Sequence, residues 1–185
     1  MDVSKSFTQL IQELRSIPYI NTSMIEAFTN RIAENHFSKE ENEKDHFGAF
    51  FIPYHVDSNS VYMGHHQKSG VWLLPGGHID LNETPIQTVQ REYGEELGVP
   101  LSTEPITLVN IEITHPGNKG HACVTHYDFW FRVDVNEQVP FNFSKREYYT
   151  AKWVTIEEAR ALNVVKHYDK IIKDIPLRPT SAQHA

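Results

Sequence analysis

Apolar residues recur at intervals of three and four across residues 5–15, placing Phe7, Leu10, Ile11 and Leu14 on one helical face before Pro18 ends the run. After Asn21-Thr22-Ser23, Ile25, Phe28 and Ile32 form a second stripe. These two patterns predict a helical hairpin as an N-terminal extension over residues 1–44, closed by the polar run Ser38 to Asp45 as a linker. The period then shortens. Phe47 to Tyr54 and Val61 to His66 read as paired strands across a turn at Asp57-Ser58-Asn59, and Val71 to Leu74 as a short strand ending at Pro75-Gly76-Gly77. Further strands are expected at Ile106 to Thr114, His121 to Asp134 and Ala151 to Val154, with a loop at His115-Pro116-Gly117-Asn118 and another over 135–148. In the longest of these, Cys123, Thr125, Tyr127, Phe129, Phe131 and Val133 fall on one face and His126, Asp128, Trp130 and Arg132 on the other.

Three helices punctuate the strands. Thr84 with Gln87 fits a capping box, Pro85 suits the first helical position, and Ile86, Val89, Tyr93 and Leu97 make an apolar stripe that Gly98 terminates. Thr155 with Glu158 repeats the capping pattern. A last helix is expected from Asn163, with Val164, Tyr168, Ile171 and Ile172 inward and Pro176 closing it, followed by a tail at 177–185. A main domain over 45–176 with strands, one central helix and a terminal helix suits an α/β sandwich with a mixed sheet.

The central helix carries the chemistry. Glu92, Glu95 and Glu96 crowd onto one arc roughly opposite its apolar stripe. Like charges at that spacing cost a few tenths of a kcal/mol each, so a positive partner is expected, and a hard divalent cation is the simplest one. Gly94 is the misfit, since glycine inside a helix costs up to about 1 kcal/mol against alanine; close approach of backbone or ligand is one explanation.

Gly77, five residues, Glu83, seven residues, then Arg91-Glu92-Tyr93-Gly94-Glu95-Glu96-Leu97-Gly98-Val99 resembles the Nudix box, with every fixed position matched and only Tyr93 replacing the usual aliphatic residue. The resemblance implies an α/β/α sandwich, a Mg²⁺ (or Mn²⁺) cofactor, and attack of metal-activated water on phosphorus in a nucleoside diphosphate linked to another group. It further implies that Glu95, Glu96 and the Gly76 carbonyl are metal ligands. Glu92 becomes a third ligand or the base that orients water, and Arg91 with Glu83 a pair that orients the helix. Members of that family often add a carboxylate from a loop before the last strand. Glu147 is placed for that role, with Glu137 as a rival and a plain surface glutamate as the alternative. Two other functions stay open: a catalytically weak Nudix-fold nucleotide-binding or regulatory module, and a metal-dependent isomerase of a diphosphate ester.

Composition narrows the partners. Across 185 residues the net charge is −7, which argues against a nucleic-acid groove or an anionic membrane surface but leaves small anionic substrates open once a metal reverses the local sign. One cysteine excludes an internal disulfide framework. With no apolar leader or span, a cytoplasmic location is the expectation. The hairpin reads as a lid, a homodimer contact or simple packing.

The remaining candidates have ordinary readings beside the functional ones. His65, His66, His78, His115, His121 and His126 do not match a compact zinc spacing and read as strand and loop histidines. Cys123 reads as a small core residue. His126, sharing a face with Asp128 and Arg132, is a candidate substrate contact, as are Asp128 itself and Tyr54; Tyr127 and Trp130 are further base platforms set against core packing. Trp72 reads as packing.

Overall fold

A computed structural model describes residues 2–116, 123–138, 140–162, 164 and 166–174. The expected positions Gly117, Asn118, His121, Asn163, Pro176 and the tail lie outside those residues.

Helices α1 (Val3–Leu14) and α2 (Thr22–Ala33) form where the two stripes predict them. Asp2 and Asn21 cap their first turns, each side chain accepting a backbone N–H. The segment expected as a linker is a folded turn: the Glu41 carboxylate accepts the N–H groups of Phe37 at 2.8 Å and Ser38 at 3.0 Å. It leads directly into β1 (Asp45–His55), which is followed by β2 (Ser60–His66), β3 (Trp72–Leu73) and β4 (Gly76–His78). Strand β4 is a difference from the sequence reading, which ended the preceding strand at these glycines. Helix α3 (Pro85–Leu97) carries the capping box in full and stops at Gly98, which is left-handed with φ 73°. Then come β5 (Ile106–Thr114), β6 (Thr125–Val135), β7 (Tyr148–Thr155), α4 (Ile156–Ala161) and α5 (Lys166–Asp174).

The sheet runs β3-β2-β1-β6-β5, with β4 added to β1 and β7 to β2. Among the named strands of the described residues, β1 and β6 pair in parallel, from Asp45 opposite Thr125 to His55 opposite Val135, and the other strand pairs are antiparallel, so the sheet is mixed. One face packs α1, α2 and α3 against Phe47, Phe51, Phe129 and Phe131. The opposite face packs Ile52, Met63 and Trp130 against Ile156 and Ala159 of α4 and Tyr168, Ile171 and Ile172 of α5. The architecture is therefore an α/β/α sandwich. The hairpin shares the main core: the Phe7 ring lies 4.3 Å from Phe37, 4.9 Å from Phe47 and 5.7 Å from Phe129, and the Tyr19 hydroxyl donates to the Val109 carbonyl at 3.2 Å.

Several local expectations change. Ile86 turns to solvent and Thr88 takes its place on the buried stripe of α3. Strand β6 starts at Thr125, so Cys123 precedes the strand and the alternation of faces does not reach it. Strand β7 is longer than expected, because Tyr148 extends the pairing to His66. Val164 bridges in parallel to Trp72, and α5 begins at Lys166. Gly94 has no close neighbour: a Cβ there would meet only the Val99 carbonyl, at 4.0 Å.

Candidate active site

Arg91 organises the acidic end of α3. Its Nε and Nη2 donate to the two oxygens of Glu83 at 2.9 and 3.0 Å, a bidentate clamp, while Nη2 also donates to the His78 carbonyl at 3.1 Å. Its Nη1 donates to Glu92 Oε1 at 2.8 Å and lies 3.6 Å from Glu95 Oε2. One guanidinium thus joins the loop after β4 to the helix face. Burial opposes the charge on Glu83, yet hydrogen bonds from Arg91 and Thr88 hold its carboxyl below the usual range. The hydrogen bonds to Glu83 strengthen the hold of Arg91 on its proton, and with the contribution of Glu92 they outweigh the burial that opposes its charge.

The three helix glutamates are not equivalent. Glu95 is the open one, its side chain 61% exposed. Glu92 lies inward against β4, and a Cβ on Gly77 would collide with its carboxylate. Glycine at 77 is what lets strand and carboxylate touch. Burial raises the Glu92 pKa, and Arg91 offsets part of that. Glu96 is the most deeply set. Its Oε2 accepts the Tyr148 hydroxyl at 2.6 Å and the Gly76 N–H at 3.3 Å. Gly76 has φ 138°, and a Cβ there would strike the Phe50 backbone on β1, so this position also requires glycine. Burial, with the charges of Glu92 and Glu147 nearby, pushes Glu96 up to about 8.

Glu147 is thus brought into the electrostatic surroundings of Glu96 from the segment before β7; one of its oxygens also lies 3.6 Å from His66 Nε2. Its rival Glu137 is exposed in the loop after β6. Sequence reasoning does not single out Tyr148, and it reads Tyr168 only as an inward-facing residue of the last helix. The Tyr148 ring fills space that Gly64 leaves open on β2, and its pKa is raised by burial and by Glu96. Burial, with the charges of Asp128 and Glu96, raises the Tyr168 pKa.

Asp128 is fully enclosed. Thr114 donates to its Oδ2 at 3.0 Å, its Oδ1 is buried with no hydrogen-bond partner, and burial with the Glu112 charge pushes it up to about 7. A Cβ on Gly48 would come within 2.6 Å of that Oδ1. Glu112, directly opposite Asp128 in the β5–β6 ladder, is a second acidic group that the sequence reading passed over. His126 turns elsewhere, its Nε2 3.3 Å from His78 Nε2. Tyr54 is not brought to the site. It is buried in the core near the far end of β1, bonded to Asn59 Oδ1 at 2.8 Å, with the Arg132 guanidinium 5.3 Å from its ring. Trp130 is a core residue too, packed against Phe50 and Tyr168, and the half-buried Tyr127 packs against Phe28 at the core's edge.

The donors around Glu96 suit a hard divalent cation. They are carboxylate oxygens, burial first and neighbouring charge second raise the proton affinity of Glu96 and Glu92, and Arg91 is already committed to Glu83 and Glu92. Residues 46–175 match the NUDIX domain profile, about seven-tenths of the sequence. The chain belongs to the Nudix family.

This Nudix chain is similar over short stretches to curated relatives. It is 35% identical over 68 residues to a probable DHNTP pyrophosphohydrolase of Lactococcus lactis, covering 36% of this chain and 41% of that protein. It is 44% identical over 43 residues to the mouse 8-oxo-dGDP phosphatase NUDT18, covering 23% of this chain and 13% of that protein. The chain therefore matches less than half the length of these curated relatives. Its fold resembles the E. coli dihydroneopterin triphosphate pyrophosphohydrolase, with TM-score 0.63 and 17% identity over 71% of this chain and 94% of that one. It also resembles a C. elegans Ap4A hydrolase, with TM-score 0.57 and 18% identity over 71% and 95% of the two chains. No helix among the described residues is long and apolar enough to cross a membrane.

Proposed function

We propose that this Nudix chain hydrolyses a pyrophosphate bond in a small nucleotide-type diphosphate, with Mg²⁺ or Mn²⁺ as cofactor. The observation that carries the reading is Glu96, a buried carboxylate crowded by Glu92 and Glu147 and aimed at the glycine strand β4. Glu92, Glu95, Glu96 and the Gly76 carbonyl would hold the cation, with Glu95 on its solvent side. When bound, the ion supplies positive charge against the diphosphate and acidifies water, which phosphoryl transfer needs more than it needs covalent help from the protein.

The chain's own residues do the positioning. Arg91 fixes Glu92 relative to β4 through Glu83 and the His78 carbonyl. Tyr148 orients Glu96 by donating to one oxygen. Glu147 and Glu92 are the carboxylates available to accept a proton from attacking water.

The test is a panel of diphosphate compounds with Mg²⁺ or Mn²⁺, both products being identified by mass spectrometry. The names of the relatives make a pterin triphosphate, a dinucleoside tetraphosphate and an oxidised guanine nucleotide sensible members. Turnover is expected, and Glu96→Gln is expected to lower it by about two orders of magnitude or more. Equal turnover in that variant sinks the proposal. Thermal stabilisation by a ligand without product marks a binding module, and product without cleavage of the diphosphate marks an isomerase.

A further inference from the structure

His46 on β1, His78 at the end of β4 and His126 on β6 meet on one face of the sheet, and Cys123 joins them from the segment that leads into β6. Their ligand-type atoms all lie within 4.8 Å of one another. The strand pairing explains the meeting: His46 is directly opposite His126, and Gly48, two residues along on the same face, is opposite His78. Sequence spacing alone hides this, since the four residues come from three distant stretches.

The three imidazoles surround a common centre, with ring centroids 4.6 to 4.8 Å apart. His46 has no exposed surface. Its Nδ1 lies 3.0 Å from the Asn42 carbonyl, which can only accept, so Nδ1 carries the proton and Nε2 holds a lone pair. That Nε2 is buried with no hydrogen-bond partner. A buried lone pair without a donor is costly in an ordinary core, whereas a metal-binding histidine characteristically gives its other ring N–H to a carbonyl in this way. The Nε2 atoms of His78 and His126 face each other at 3.3 Å. In a tetrahedral zinc site with bonds of about 2.0–2.3 Å, neighbouring ligand atoms stand roughly 3.3–3.7 Å apart. That pair already has the spacing. Cys123, only 7% exposed, completes four ligands.

We propose that His46, His78, Cys123 and His126 form a second metal site that binds a zinc-type divalent ion. One thiolate and three neutral imidazoles suit a borderline-soft ion and disfavour Mg²⁺, so this site and the carboxylate site sort their metals by donor chemistry. Binding releases the Cys123 thiol proton to solvent and forms four metal–ligand bonds. Four protein ligands leave no open position, so the role is structural. The ion ties β4 to β1 and β6, and β4 is the strand whose Gly76 N–H reaches Glu96. This inference does not depend on the hydrolytic reading.

The test uses the full chain, with any affinity tag removed, grown with zinc and passed through desalting. Metal analysis is expected to find about one zinc per chain, retained in Glu96→Gln and lost in Cys123→Ser and in His46→Ala. Replacement by Co²⁺ in the unaltered chain is expected to give the thiolate-to-cobalt charge-transfer band and tetrahedral d–d absorption, a readout that requires no variant to fold. X-ray absorption at the zinc edge should report one sulfur and three nitrogen neighbours. A folded, reduced chain that takes up no stoichiometric zinc or cobalt overturns the proposal and leaves a hydrogen-bonded histidine cluster. So does bound zinc that survives loss of Cys123 and His46, or that disappears with Glu96→Gln.

Discussion

The Tyr148 hydroxyl donates to Glu96 Oε2 at 2.6 Å, joining the first residue of β7 to the most deeply buried carboxylate of α3. This bond favours the ionised form of Glu96 against the burial that opposes it. Tyr148→Phe keeps the ring that packs on Gly64 and removes only the donor. Hydrogen bonds to charged groups contribute about 1.5–3 kcal/mol, so Mg²⁺ affinity at neutral pH should fall by about tenfold or more. The acid limb of the pH–activity profile should also move upward. Titration calorimetry checks the first effect and a pH–rate series the second.

Glu96 predicts an unusual pH dependence for the metal-free chain. The folded protein holds that proton up to about pH 8, whereas an unfolded glutamate releases it near 4.3. Across that window the folded state binds more protons than the unfolded one, so stability falls as pH rises, by up to about 1.4 kcal/mol per pH unit from this group. Added Mg²⁺ should stabilise more at about pH 8.5 than at about pH 6, because at the lower pH it must first displace the proton. Urea denaturation at both values, with and without Mg²⁺, measures the difference.

Removing the guanidinium hub should be expensive. Arg91→Leu strands the partly buried carboxylates of Glu83 and Glu92 without their cation. Losing one member of such a pair costs about 3 kcal/mol or more. Combining it with Glu83→Gln should recover part of the loss, and denaturant midpoints for the two single variants and the double variant give the coupling.

Gly94 offers a gain. A Cβ there meets nothing of the protein closer than 4.0 Å, so close approach of another backbone segment does not explain this glycine. Gly94→Ala should stabilise α3 by up to about 1 kcal/mol, read as a rise in melting temperature. Gly77→Ala should do the opposite, because its methyl group collides with Glu92.

Periodicity placed both hairpin helices, α3 and most strands, because those segments bury one face against a single core. Local rules also found the two capping boxes and the αL stop at Gly98, which depend on neighbours in sequence. Strand β4 escaped because three residues with two glycines carry no hydrophobic alternation; its pairing is set by β1. The same limit explains Tyr148, Glu112 and the histidine cluster. Each acquires its role from a partner across the sheet, and register between distant strands is not written in local spacing. Tyr54 shows the reverse error. An aromatic residue on a core strand has the composition of a base platform, but position along β1 decides what it meets, and here that is Arg132 and Asn59.

The parallel pairing of β1 with β6 sets an order of events during synthesis. The acidic helix leaves the ribosome before β6 exists, so the nascent chain exposes its glutamates and the unsheltered edge of β1 for as long as the intervening residues take to be made. Loop closure across that separation must precede any of the contacts that reward it. A chaperone or a metal ion present at that stage would act on a half-built sheet, well before there is a pocket to fill.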